Sequence, residues 1–193
     1  MSTALIFYLL LLTAVTVQRL LEIRKAAQST DILLKMGAEE VAPGHYSAMR
    51  LLHGAWLVCC IVEAIWREEP PSLWLSAFSM IALLLGQTLR LAAMHALGPR
   101  WTTRILVLPG FPPVTGGVYR WVRHPNYLGV ILELAALPLI YGGIWTALFF
   151  TIANLTLLLG VRIPAEEAAL VRVNEYSAYQ DDQNRFIPNR NKS

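Results

Sequence analysis

The sequence predicts an all-α, polytopic membrane protein: a helical bundle of about five transmembrane helices. Three observations carry that reading. Of the 193 residues, 55% are hydrophobic and only 15% are charged, and mean hydropathy is +0.47, more apolar than a soluble core of this size requires. The apolar residues fall in long blocks, the pattern of a chain dissolved in lipid. The basic residues collect almost entirely on one side of the predicted topology.

The first span runs from about Ser2 to Val17 and ends at Gln18–Arg19. A secretory leader is the competing reading of this block. It lacks a basic n-region and a small-residue cleavage site, and "VQRLLEIRK" continues as an amphipathic helix. The second span covers about Leu51–Trp66 and the third about Leu73–Met94, while the fourth runs from about Tyr127 to Tyr141 and the fifth from Ile144 to Val161. The first, second and fourth are short against the roughly 20 residues a hydrocarbon core requires. The fourth and fifth read as a helical hairpin turning at Gly142–Gly143. Between the first two spans, Gly37 and an "APG" turn interrupt the amphipathic helix before His45 and Tyr46. With five spans, one side holds only Arg67 of the sixteen Lys and Arg residues, and the other holds fifteen if Arg90 is counted there. Basic loops stay cytoplasmic, so the N-terminus is expected outside and the C-terminus inside, in a bacterial cytoplasmic membrane. Residues 1–97 form the expected N-terminal membrane unit with its amphipathic loop, and 98–193 the unit that carries the chemistry.

The unusual residues gather on that basic side. Cys59 and Cys60 are adjacent and are read as packing residues, and no His/Cys spacing suggests a metal site. No phosphate-cradling glycine motif and no basic patch interleaved with aromatics argues for nucleic acid. Gln87, Arg90 and His95 share roughly one face of the third span and are expected to face the bundle interior or a wet cavity, with a snorkelling Arg90 as the alternative. The stretch 98–127 contains Pro109, Gly110, Pro112, Pro113 and Gly116–Gly117, which rule out a continuous helix. Irregular backbone beside a membrane needs protein or water to satisfy its amides, and those amides can line a polar ligand. His124–Pro125 keeps the histidine out of the αR region where the next helix starts. Glu133 is an isolated carboxylate in an apolar span and requires Arg90, Arg123 or a proton. Beyond the fifth span, Pro164 marks a helix start, with Glu166 and Glu167 in its first turn, where the helix dipole favours them.

"GVYRWVRHPNYLG", followed after a hydrophobic pair by "RIPAEEAAL" and "EYSAYQDDQNRFIP", resembles the isoprenylcysteine carboxyl methyltransferase family. The likeness covers roughly residues 85–189. RHPxY alone is shared with membrane sterol reductases; RHPxY followed by RxxxEExxL is more specific. "QRLLEIRK", "MGAEE", "HYSAMRLLHG" and "WTTRILVLPG" look like a bacterial branch of the family that includes alkylpyrone and alkylresorcinol O-methyltransferases.

The resemblance implies a membrane enzyme that uses S-adenosylmethionine, releases S-adenosylhomocysteine and methylates an oxygen of a lipophilic or prenylated acceptor, with membrane lipids its only other partners. The cofactor pocket is expected on the cytoplasmic side, between the last two helices, the preceding loop and the C-terminal helix. By motif position, Tyr119, His124, Pro125, Asn126, Tyr127 and Glu166 would bind the cofactor, and Arg162 would be the catalytic residue facing the acceptor. Backbone around Leu106 and from Pro112 through Pro113 to Val114 would join them, although "FPPV" replaces the commoner family run. The residue types suit that chemistry. A carboxylate can hold an ammonium or ribose, and His, Tyr and free amides can orient the remainder. A carboxylate acceptor needs no general base, whereas a phenol would draw on His124 or Glu133. An NADPH-dependent sterol-type reductase and a non-catalytic membrane protein are the competing readings; the short chain and the Arg162–Glu166–Glu167 block argue against the reductase.

Overall fold

The structure is a computed structural model that describes residues 2–67, 71–173, 176, 177, 179 and 183–188. Parts of the "REEPPS" turn and of "EYSAYQDDQNRFIP" lie outside those residues. The helices are α1 (Thr3–Lys35), α2 (Gly44–Trp66), α3 (Leu73–Leu97), α4 (Pro125–Leu139), α5 (Ile144–Leu157) and α6 (Ile163–Val173). A π-helical turn, Leu158–Arg162, fuses α5 to α6. α1, α2, α3 and the continuous α5–α6 helix are long and apolar enough to cross a membrane.

Two spans read as short are not. α1 continues 18 residues past Val17 to Lys35, because Gln18–Lys35 is built largely of strong helix formers. It ends where Gly37 takes a φ of +90°, a conformation that favours glycine. α2 begins at Gly44, so His45 and Tyr46 lie in its first turn. Only α4, with 15 residues, stays short. Its position explains this: Leu134, Leu137 and Glu133 are almost fully buried, so α4 is sheathed by the other helices and has little lipid to match.

The main core joins Tyr8 and Leu12 of α1, Trp56 and Cys60 of α2, Leu83 of α3, Leu134 and Leu137 of α4 and Phe150 of α5. The Trp56 indole donates to the Leu134 carbonyl at 3.2 Å, and the Tyr8 and Tyr141 rings stack at 5.3 Å. Leu10, Val58, Phe78, Leu84, Phe149 and Ile152 are exposed, as expected of helix faces meant for lipid. The expected hairpin turns at Gly142, whose φ is +79°, and Gly143 donates to the Pro138 carbonyl at 2.8 Å.

α3 and α4 touch through glycines. A Cβ on Gly129 would stand 2.6 Å from the Gly86 carbonyl oxygen and 2.6 Å from Arg90 Cγ. No side chain fits there, so the backbones meet directly. Gly129→Ala is therefore expected to lower stability by about 1–3 kcal/mol through overpacking. Thermal unfolding in detergent would register it as a lower midpoint.

Candidate active site

The segment between α3 and α4 is irregular, as its prolines and glycines dictate, and it is tied down at several points. Its strand β2 (Leu106–Val107) pairs antiparallel with β1 (Glu39–Glu40), the short strand after α1, in the register Glu39↔Val107 and Glu40↔Leu106. Val41 extends the ladder by donating to the Ile105 carbonyl at 2.9 Å. Arg100 Nη1 donates to the Pro112 carbonyl at 2.7 Å. The segment then makes a 3-10 turn at Gly117–Arg120 and enters α4 through His124, whose φ and ψ are −125° and 57°. Pro125 is the first residue of α4, where its missing N–H costs nothing.

This arrangement encloses a cavity of about 160 Å³ at one end of the bundle. Leu106, Pro112, Pro113, Val114, Tyr119, His124, Asn126, Tyr127, Arg162 and Glu166 all line it. Of the positions read from the sequence, Pro125 alone is not on the wall; it is buried beneath it and sets the start of α4. Asn126 Oδ1, Trp101 Nε1 and Arg123 Nε are buried without hydrogen-bond partners among the described residues, and all three residues line the cavity. Buried polar atoms are normally satisfied, so this wall is suited to a ligand with donors and acceptors of its own.

Adjacent glutamates take different work. Glu167 is buried and gathers basic side chains: His124 Nε2 at 2.9 Å, Arg123 Nη1 at 2.9 Å and Arg185 Nη2 at 2.6 Å. Its bond to Glu167 raises the Arg185 pKa, and the same pairing holds that arginine against α6. Backbone bonds reinforce this clamp, since Arg123 and His124 donate to the carbonyls of Asn184 and Arg185 at 3.0 and 3.1 Å. Glu166 is half-buried, accepts a hydrogen bond from the Tyr127 hydroxyl and otherwise faces the cavity. Tyr179 donates to the Tyr119 carbonyl at 2.6 Å. Burial pushes the Tyr119 phenol well up and the Tyr179 phenol up to about 12, so both remain protonated at neutral pH.

Arg162 stands at the inner wall. Its Nε donates to the Tyr127 hydroxyl at 2.8 Å, Nη2 donates to the Thr103 carbonyl at 2.6 Å, and Nη1 lies 3.4 Å from His45 Nε2. The π turn places it there: a normal α-helix would set the Pro164 ring against the carbonyl of Gly160, and the wider turn relieves that contact. The helix thus runs through Pro164 without a break.

A second, larger cavity of about 320 Å³ lies on the other side of Arg162. Trp101, Thr102, Asn126, Tyr127 and Arg162 line both cavities, so the two meet at these residues. Leu20, Ile23, Met49, Trp56, Leu57, Val130, Leu134 and Leu158 make the second one largely apolar. Leu20 and Ile23 on its rim are exposed on the surface of α1. His53 also lines it. Its Nδ1 is 2.8 Å from the Met49 carbonyl oxygen; a carbonyl only accepts, so Nδ1 carries the hydrogen and Nε2 is the basic nitrogen of the neutral ring.

The far wall of this cavity is ionic. Glu133 accepts from Arg19 Nε at 3.0 Å and from Arg19 Nη2, and lies 3.7 Å from Arg90 Nε. Glu22 pairs with Arg19 Nη1 and with Arg90 Nη2, the latter at 2.5 Å. Gln18 Nε2 bridges Glu22 at 2.9 Å and Gln87 at 2.8 Å. Glu133 therefore does have a cationic partner: chiefly Arg19, with Arg90 farther off. Arg123 is occupied by Glu167. Arg90 is buried and does not snorkel, whereas His95 is exposed and does not join the interior polar face. The proton acceptors considered for a phenol, His124 and Glu133, are both held by ionic partners.

Sequence reasoning missed Arg19, Glu22, His53, Thr103 and Arg185. Two signals were available. Arg19 and Glu22 extend a membrane helix with charges three apart, and His45, Met49 and His53 recur at four-residue spacing on one face of α2.

The family described as the isoprenylcysteine carboxyl methyltransferase (ICMT) family matches residues 79–172, the stretch that holds α4, α5 and both glutamates. YpbQ, an uncharacterized protein of Bacillus subtilis, is 38% identical over 168 residues, which is 87% of this chain and 97% of that protein. The mouse protein-S-isoprenylcysteine O-methyltransferase is 32% identical over 77 residues, 39% of this chain and 27% of that enzyme. An uncharacterized protein of Haemophilus influenzae is 29% identical over 139 residues, 72% of this chain and 80% of that protein. With its spanning helices, a family match that runs from α3 into α6 and a relative that aligns over most of the chain, the chain belongs to the isoprenylcysteine carboxyl methyltransferase family of integral membrane methyltransferases.

Proposed function

We propose that this methyltransferase binds S-adenosylmethionine in the smaller, more polar cavity and transfers its methyl group to an oxygen of a lipophilic acceptor held in the larger, more apolar one. The observation that carries the reading is the junction of the two cavities at Asn126, Tyr127 and Arg162. A water-soluble, charged donor and a membrane-dissolved acceptor need separate approaches to one point, and this geometry offers both.

The cofactor supplies a methyl group on a sulfonium, activated for in-line displacement. The protein's share is positioning, which is a large part of what such a displacement asks of an enzyme. Glu166 and the unpartnered Asn126 Oδ1 are acceptors suited to an ammonium or to ribose hydroxyls. The Trp101 indole and the Arg123 guanidinium offer donors on the same wall. Arg162 orients the acceptor oxygen through guanidinium hydrogen bonds, an assignment suited to its place on both walls. A carboxylate arrives ionised. A hydroxyl must lose its proton, and His53 Nε2, on the acceptor wall and free to receive one, is the base assigned to it. The exposed Leu20 and Ile23 on the rim fit an acceptor that enters sideways from lipid. The basic bias of the loops supports a cytoplasmic location for the polar cavity, with the N-terminus outside.

Labelled S-adenosylmethionine should bind the purified protein saturably, and Glu166→Ala should weaken that binding by about ten- to a hundredfold, as expected for loss of a charge-assisted contact. Binding of NADPH in its place would reject the proposal in favour of a reductase. Membranes incubated with the labelled donor and resolved by mass should yield a methylated lipid.

A further inference from the structure

Two arginines and two glutamates gathered inside a bundle of membrane-spanning helices call for an explanation beyond bundle closure. Buried ion pairs can often be exchanged for well-packed apolar residues with no loss of stability, and intramembrane charges are usually functional. Here all four, Arg19, Glu22, Arg90 and Glu133, line the cavity proposed for the acceptor.

The two arginines are not equivalent. Arg19 places Nε, Nη1 and Nη2 on carboxylates. Arg90 donates only through Nη2 to Glu22; its Nε is buried without a hydrogen-bond partner among the described residues, 3.7 Å from the nearest Glu133 oxygen. A guanidinium carries five N–H groups, so Arg90, only 7% exposed, has donors left over on a cavity wall. Its stem is also held in place: the Gly86–Gly129 contact runs alongside it, and any side chain at Gly129 would strike Arg90 Cγ. Fixed, buried and under-used donors are what recognition of a ligand oxygen requires.

Charge and spacing define that oxygen. The cluster contains two cations and two anions and is already balanced, so a further carboxylate would be an uncompensated charge in a low-dielectric site, whereas a hydroxyl or carbonyl oxygen would not. Tyr127, at the cavity junction, and Glu133, in the cluster, are six residues apart on α4, or about 9 Å along its axis. A small ring bearing two oxygens spans such a distance with hydrogen bonds at both ends.

We propose that Arg90 is a specificity-determining residue whose free guanidinium donors bind a second, uncharged oxygen on the acceptor's head, separate from the oxygen methylated near Arg162. This rests on the methyltransferase reading above. The test uses the full chain in lipid nanodiscs with S-adenosylmethionine and two probes of equal chain length, 3-pentadecylphenol with one ring oxygen and 5-pentadecylresorcinol with two. The wild type should favour the two-oxygen probe in kcat/KM by about tenfold or more, the worth of a charge-assisted hydrogen bond. In Arg90→Gln that ratio should collapse toward one, chiefly through KM of the two-oxygen probe, and Arg90→Lys should recover part of it. Because Arg90→Gln leaves the cluster one negative charge in excess, Glu22→Gln/Arg90→Gln provides a balanced variant with the same expected collapse. A preference that survives in the balanced variant overturns this inference alone. Failure of the wild type to methylate either probe overturns it together with the assignment of a hydroxyl acceptor.

Discussion

Arg162→Ala is expected to lower the rate of methyl transfer by about two to three orders of magnitude, the usual cost of removing a preorganised donor from a reaction centre. The residue stands on the walls of both cavities and holds the Tyr127 hydroxyl, the Thr103 carbonyl and the edge of His45 at once. Alanine would release all three and leave the acceptor oxygen without an orienting cation. The loss should fall on kcat with acceptor, while equilibrium binding of labelled S-adenosylmethionine persists, because Glu166, Asn126 and the His124 clamp are still in place. Arg162→Lys should restore little: an ammonium is a point charge and cannot reproduce a planar fork that reaches three partners. Unchanged turnover in both variants would remove Arg162 from the reaction.

Glu133→Ala is the change expected to damage the fold most. It strips Arg19 of its two-pronged partner and leaves both arginines of the cluster facing a single glutamate in a largely buried site. Breaking a buried pair from one side costs about 3–5 kcal/mol, because the remaining charge is uncompensated. The loss would appear as a fall in thermal midpoint for the solubilised protein. Arg19→Met/Glu133→Leu, which removes both charges, should recover most of it. If the single and double variants unfold at the same temperature, the network does not stabilise the bundle through charge pairing.

The bundle was legible because lipid imposes a coarse rule: apolar blocks mark helices, and Gly142–Gly143 with its positive φ marks a turn. Hydropathy reports only the lipid-matched part of a helix. It therefore stopped α1 at Val17, although good helix formers carry it to Lys35. The grouping of the candidate residues was legible: every site position read from the RHPxY and RxxxEE segments except Pro125 lines one cavity. Its division of labour was not. Glu166 and Glu167 look alike in sequence, and only the packing around α6 shows that one faces the cavity and the other Arg123, His124 and Arg185. Partnerships such as Arg19–Glu133, 114 residues apart, lie beyond any local periodicity. His95 illustrates the converse error: sharing a helix with Arg90 did not give it the same surroundings.

The bonds from Arg123 and His124 to the carbonyls of Asn184 and Arg185 also have a meaning in time. Synthesis delivers the N-terminal parts of a chain first, so α1 to α6 are all made before residues 184–185. The motif backbone gains its last two acceptors, and Glu167 gains Arg185, only when that tail emerges. The clamp on the RHPxY backbone can therefore form only after every helix it steadies has been synthesised.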